Sequence, residues 1–376
     1  MEQKLPPICI FEFTHFGHYL TYVDILVRYL HQKTGQKTLW VTSQKVVDSE
    51  RYKIFLKPIE DKFQTLIVDD VMFDRGLARP TVQFRLARLL KRLEKNGVRK
   101  LLVPSADIFS RHVGYASLWG YRPKEMEIRC GLLLLPIVYP GSTFLRDIKR
   151  DLFFKLQRAT PITPLYYDAH AVNRVRERFG VELQKLPEPL LGMKGYQPPA
   201  PRNDGILCFG NVGLFEVRKG GQLLMEAYQK ARFNRPTRLI LAGQLHDHQL
   251  SRLIEEFQPS DFKQIQVFDQ FLTQEKYLGH LSSIDVVCLT YRSHVGPSGV
   301  YCQSAVMDKV ILASDYGWLG WEAPNNPKIR LFQNESSNSL AQGMEQMAED
   351  FETLRRLKTS YVPVTEESFA QALCGF

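Results

Sequence analysis

Apolar, strand-like runs alternate with amphipathic helical patterns along nearly the whole chain, and this alternation limits the fold more than any other feature. Ile8 to Phe13 reads as a buried strand. Tyr19 to Gln32 follows as a helix, with Leu20, Val23, Leu26, Val27 and Leu30 spaced to share one face. Thr38 to Thr42 and Gln64 to Val68 read as further strands. Pro80 to Asn96 reads as a strongly amphipathic helix, with Pro80 suited to its first turn and Gly97 to its end. Lys100 to Pro104 and Gly131 to Val138 are strand-like again. Such a succession argues for βα units and a mostly parallel sheet.

Pro187 to Asp204 holds five prolines and two glycines, a density that disfavours any regular element and reads as a linker. A second, more regular alternation then begins. Strands are expected over Gly205–Phe209, Arg238–Ala242, Ile265–Phe268, Asp285–Leu289, Val310–Ser314 and Arg330–Phe332. Helices are expected over Gly220–Ala231, Gln249–Phe257, Thr273–Ser282, Gly299–Met307 and Ser336–Glu349. We therefore expect an α/β domain over 1–190, a linker over 191–204 and a second α/β domain over 205–360. A C-terminal helix within 361–376 is expected to pack back on the first. Two such halves would face each other across a cleft, and ligands bind such sheets at the carboxyl ends of their strands.

With 44% hydrophobic and 24% charged residues, the 376-residue chain has the balance of a folded protein rather than a disordered one. Its net charge of +9 fits solubility as well as attraction to anions, and no Lys/Arg run interleaved with aromatics marks a nucleic-acid module. None of the six cysteines is spaced as C-x-x-C, and a reducing compartment is the simpler reading. The polar start, Met1 to Pro7, does not read as a signal peptide. The longest apolar run, Leu132 to Val138, falls far short of the roughly 20 residues that a membrane-spanning helix needs. A cytoplasmic location is the expectation, with contact at the inner face of a membrane left open. Pro80–Asn96 carries Arg85, Arg88, Lys91, Arg92 and Lys95, and Phe144–Leu156 repeats the theme. Such helices dock on anionic lipid or, more often, are ordinary surface helices.

Two segments carry phosphate-binding chemistry. The first runs from Gly210-Asn211-Val212-Gly213 to Arg218-Lys219-Gly220-Gly221, between an expected strand and an expected helix. Glycines let the backbone approach a ligand, and Lys219 sets a cation beside free N–H groups and the positive end of a helix dipole. The second, His294-Val295-Gly296-Pro297-Ser298-Gly299, also links a strand to a helix, with Ser298 as its N-cap. Taken singly, each also reads as a Gly-rich turn or a capped helix. Two of them at strand ends in one domain suit a diphosphate.

In these segments the chain resembles the donor-binding half of GT-B glycosyltransferases, in the group similar to the retaining bacterial mannosyl- and glucosyltransferases. The resemblance lies in FGNVGLFEVRKGGQLLMEAY, RLILAGQL, VFDQFLTQEKYLGHLSSIDVVCLTY, GPSGVYCQSAVMDKVILASDYGWLG and LFQNESSNSLAQGM, in that order. It implies two Rossmann-like domains, the first for acceptor and the second for a nucleotide-sugar donor. It implies that Lys219 contacts the donor diphosphate, that Phe271 and Leu272 cradle the base, and that Gly296, Pro297, Ser298 and Gly299 hold diphosphate or sugar. The family adds an Arg where this chain has Asn211, and Arg218 is the candidate substitute. Its Glu-x7-Glu pair aligns with Gly296 and Ser304, so both carboxylates are absent, and Ser304 is left as a hydroxyl for the ribose. The first half resembles the family only in its βα pattern and in Gly17-His18 after the first strand.

His18 is a candidate phosphate donor with Gly17 beside it, and His112, after Ser105-Ala106-Asp107, is a candidate cleft residue. Each also reads as an incidental or structural histidine. No nucleophile, general base or metal cluster stands out. The expected activity is transfer of a sugar from a nucleotide-diphosphate sugar to a hydroxyl of a glycan, lipid-linked glycan or small molecule, with retention and with neither cofactor nor metal. The missing carboxylates leave open a non-catalytic GT-B scaffold or nucleotide-binding subunit of a polysaccharide-assembly complex.

Overall fold

The computed structural model describes residues 5–14, 18–69, 80–107, 109–110, 112–113, 123–132, 162–167, 176, 184–193, 196–197, 202, 204–292, 294 and 296–376. The chain divides into two units, Met1–Pro189 with Val364–Phe376, and Leu190–Pro363.

The first unit is built on seven parallel strands: β1 (Ile8–Phe11), β2 (Thr38–Thr42), β3 (Phe63–Ile67), β4 (Lys100–Val103), β5 (Glu127–Leu132), β6 (Ile162–Tyr166) and β7 (Gln184–Lys185). They lie in the order β3-β2-β1-β4-β5-β6-β7. The second unit has six: β8 (Leu207–Val212), β9 (Thr237–Ala242), β10 (Lys263–Phe268), β11 (Val286–Leu289), β12 (Val310–Ser314) and β13 (Ile329–Phe332). Their order is β10-β9-β8-β11-β12-β13, again all parallel. Both sheets are doubly wound, and each reverses direction once, between β1 and β4 and between β8 and β11. The crevice at such a reversal is where an α/β sheet binds its ligand.

Period-two side-chain alternation decides what each face of the second sheet packs. Leu207, Phe209, Leu239, Leu241, Val286, Cys288, Val310 and Leu312 share one core with the helices Gly221–Lys230 and Ser337–Arg356. Cys208, Ile240, Val287, Leu289, Ile311 and Ala313 share the other with Leu281, Tyr301, Ala305, Trp318 and Leu319. Burial on both faces explains why these strands read as continuous apolar runs. All six cysteines are buried and none forms a disulfide. No described helix is long and apolar enough to cross a membrane.

Several expected boundaries move. β8 does not stop at Phe209 but continues through Gly210 and Asn211 to Val212. The final long helix extends to Arg356, seven residues beyond its expected end at Glu349. Strands β6 and β7 and the short helix Gly317–Glu322 were not expected. β6 carries Pro164 inside it, and β7 is two residues long. Of the expected strand Gly131–Val138 only the first two residues are described, as the end of β5, and the expected element at Phe144–Leu156 lies outside the described residues.

The C-terminal helix Glu366–Cys374 belongs to the first unit, and cations of that unit's sheet cap its carbonyl end. Arg129, only 9% exposed, donates through Nε to Leu373 O (2.7 Å) and through Nη2 to Ala372 O (3.0 Å), and Nη1 meets Glu127 at 2.9 Å. Lys100 Nζ donates to Cys374 O (2.7 Å), and Tyr29 Oη to Phe376 O (2.7 Å). Helix C-termini favour positive charge, and these carbonyls have no intrahelical donor. Arg129→Ala strands two buried acceptors and is expected to cost the first unit about 3 kcal/mol. Urea unfolding followed in that unit checks it, and an unchanged midpoint would contradict the capping account.

Candidate functional site

The reversal in the second sheet places two loops side by side, one after β8 and one after β11. The first begins at Gly213 (φ +115°), whose N–H donates to Ala242 O (2.9 Å). A 3₁₀ turn, Val217–Lys219, then leads to Gly220, which caps the helix Gly221–Lys230 in the left-handed conformation (φ +68°). A Cβ on Gly220 would lie 1.9 Å from Thr290 O, so both its dihedral and its closeness to the second loop require glycine. No side chain caps this helix and no acidic residue occupies its first turn, leaving its positive end open to an anion.

The second loop is stitched to the first. Thr290 Oγ1 donates to Lys219 O (3.1 Å) and Gly220 O (3.0 Å), and Arg292 N donates to Arg218 O (2.9 Å). Tyr291, 1% exposed, receives the Lys219 ammonium 4.0 Å from its ring centroid. Its hydroxyl shares a hydrogen bond with Ser298 Oγ (3.1 Å). Ser298 in turn accepts from Tyr301 N (3.2 Å), the N-cap of the helix Gly299–Val306. His294 lies edge-on to Tyr291 (centroids 4.9 Å), and its Nε2 donates to Pro297 O (3.3 Å). Burial, and next the positive charge of Lys219, push its pKa down to about 4, so the ring is neutral near pH 7.

Sequence-expected residues thus fall into distinct groups. Lys219, Gly296, Pro297, Ser298 and Gly299 lie on the paired loops. Arg218 is on the same turn, exposed, 3.5 Å from Glu216. Phe271, 66% exposed, and half-buried Leu272 follow β10, at the sheet's edge. Three positions need correction. Gly210 is a strand residue whose Cβ would meet Ile240 O at 2.4 Å, so it answers to packing rather than to a ligand. Asn211, 3% exposed, turns its Oδ1 to Val212 N (2.8 Å) within the same strand. Ser304 is fully buried and donates to Val300 O (2.6 Å), the usual back-bond of a mid-helix serine. The neighbouring Gln303, not anticipated, donates to Leu191 O (3.0 Å) and accepts from Tyr277 Oη (2.8 Å).

In the first unit, His18 is exposed at the start of the helix Tyr19–Thr34, and its carbonyl accepts from Tyr22 N (3.1 Å). Gly17 lies outside the described residues. His112 is buried at 7% exposure, on a segment whose Phe109 and Val113 belong to the unit's core, so its burial supports the structural reading. Sequence reading passed over Glu12, which follows β1 at this sheet's own reversal. Its Oε1 accepts from Phe13 N (3.0 Å) and Thr14 N (2.9 Å), and the carboxyl is buried. Burial pushes its pKa up to about 7. Glu188 accepts from Tyr22 Oη (3.1 Å), and burial raises it likewise to about 7. The signal available for Glu12 was a carboxylate directly continuing an apolar strand.

No family model matches the chain, and no curated protein matches it in sequence. Solved structures match over nearly its full length. A glycosyltransferase from Rickettsia africae superposes with a TM-score of 0.63 at 12% identity, over 98% of this chain and 93% of that one. The lipopolysaccharide outer core galactosyltransferase WaaB superposes with a TM-score of 0.65 at 11% identity, over 98% and 99%. Anabaena HepE, in complex with UDP and glucose, superposes with a TM-score of 0.53 at 12% identity, over 98% and 94%.

A raised carboxyl pKa is also a statement about stability. Glu12 is raised from 4.5 to about 7, so its contribution is fully present below the unfolded value and is lost as pH rises through 7. Glu12→Gln keeps the acceptor for Phe13 and Thr14 and removes the buried charge. Relative to wild type, the first unit of the variant is expected to gain about 3 kcal/mol between pH 4 and pH 8. Parallel pH-dependent melting curves for the two proteins would contradict it. Together, the two doubly wound sheets and these full-length superpositions show that the chain has the GT-B fold of glycosyltransferases.

Proposed function

We propose that this protein transfers a sugar from a nucleotide-diphosphate sugar to a hydroxyl acceptor, and that the paired loops of the second unit hold the donor's diphosphate. The observation that carries this reading is the convergence of two helix starts and the Lys219 ammonium at the reversal of the second sheet. The bound UDP and glucose of HepE, on the same fold, favour the same class of donor.

The chemistry asks little covalent help of the protein. As the bond from the anomeric carbon to the diphosphate oxygen breaks, its electron pair stays on the leaving diphosphate. The acceptor oxygen bonds to that carbon and its hydroxyl proton passes to the departing diphosphate. Lys219 and the open helix end would stabilise the growing negative charge without reorganising. Retention and independence of a metal remain part of the proposal, on the strength of the resemblance.

A specific observation favours a second reading, a nucleotide-binding scaffold without turnover. Ser304 is buried and Gln303 is held by Leu191 and Tyr277, so neither replaces a missing carboxylate freely. One set of measurements separates the readings. Thermal shifts with UDP, GDP, ADP and CMP and their sugar conjugates are expected to single out one nucleoside diphosphate, with the shift reduced in Lys219→Ala. Release of that diphosphate from its sugar conjugate supports the transferase, and binding without release supports the scaffold. No shift with any nucleotide would overturn both.

The acceptor is proposed to be a glycan or lipid-linked glycan met at the inner face of an anionic membrane. The helix Pro80–Lys95 supports this with exposed Phe84, Arg85, Arg88, Lys91, Arg92 and Lys95, the Arg88 guanidinium lying 4.5 Å over the Phe84 ring. An apolar anchor among cations suits an anionic surface. Co-sedimentation with vesicles rich in anionic lipid is expected, and loss of it in Phe84→Ser with Arg88→Ser. Equal sedimentation of wild type and variant would contradict this contact.

A further inference from the structure

We propose that Tyr291 is a positioning residue that fixes the Lys219 ammonium and the Ser298 cap relative to one another, so that the anion site is built before its ligand arrives. The inference rests on the diphosphate reading of these loops and adds a residue to it.

Lysine is a flexible point charge, and an unsupported ammonium at a surface turn samples many rotamers. Here the ammonium sits 4.0 Å from the Tyr291 centroid, over a ring that is 1% exposed and enclosed by its neighbours. A cation over an aromatic face is attracted to the ring quadrupole while its N–H groups remain available for other acceptors. A carboxylate in the same place would hold the lysine too, but would neutralise the charge an anion needs. Aromatic support fixes the charge and leaves it positive.

The same ring reaches the other half of the site. Its hydroxyl meets Ser298 Oγ at 3.1 Å, and that oxygen accepts Tyr301 N at 3.2 Å. Hydrogen bonds from the Thr290 hydroxyl and the Arg292 backbone N–H to the carbonyls of residues 218–220 tie the loops together. Tyr291 thereby touches the cation on the first loop and the helix start on the second, and His294 braces its edge at 4.9 Å. Preorganised charge of this kind acts without cost at the moment of binding.

A double-mutant cycle reads the coupling directly. Affinities for UDP, GDP, ADP and inorganic pyrophosphate are measured by calorimetry on wild type, Tyr291→Phe, Tyr291→Leu, Lys219→Ala and Lys219→Ala with Tyr291→Leu. Circular dichroism confirms folding, and Tyr291→Met takes the place of Tyr291→Leu should the latter not fold. Tyr291→Leu is expected to weaken the preferred diphosphate roughly tenfold in wild type and less than about twofold once Lys219 is gone. Tyr291→Phe, which keeps the ring, should lose less than about threefold. Equal losses in both backgrounds would show plain packing and overturn the proposal, as would no loss from Tyr291→Leu. Failure of the wild type to bind any of these ligands would instead overturn the diphosphate reading itself.

Discussion

The second unit depends on the hydrogen bonds that tie the loop after β11 to the turn after β8. Thr290 and Arg292 reach the carbonyls of residues 218–220, and glycine at 220 lets Thr290 O approach where a Cβ would stand 1.9 Å away. Without this contact the cation of one loop and the helix start of the other would be separate features. With it they lie together at the reversal of the sheet. The reversal lies between β8 and β11, two strands buried on both faces.

Much of this was legible in the sequence, for local reasons. Continuous apolar runs mark doubly buried strands, so Thr38–Thr42 and Val310–Ser314 were read with their observed bounds. Ser298 was readable as a cap because its chemistry acts three residues away. What failed was set by distant partners. Gly210-Asn211 looks like a turn by composition, yet Gly210 is glycine because Ile240 O of a neighbouring strand and Ile284, just after a helix, crowd it. Ser304 looked available, but the helix's packing puts it on the buried side. Nothing near Tyr291 in sequence announces its contact with a lysine 72 positions earlier.

The first unit shows the same division. Its sheet was recognisable where the runs were long, whereas β6, interrupted by Pro164, and two-residue β7 gave little signal. Glu12 buries a carboxyl at the reversal of that sheet, a local cost that a stability-driven sequence would remove. The C-terminal helix returns to this unit because Arg129, Lys100 and Tyr29 satisfy its final carbonyls.

The central claim is that the two stitched loops bind a nucleoside diphosphate. Hydrogen exchange with and without the diphosphate reports it peptide by peptide. The account requires slowed exchange in the segments 213–224 and 290–302 together, since the loops share one ligand. Slowing of one segment without the other, or protection confined to other parts of the second unit, would contradict it.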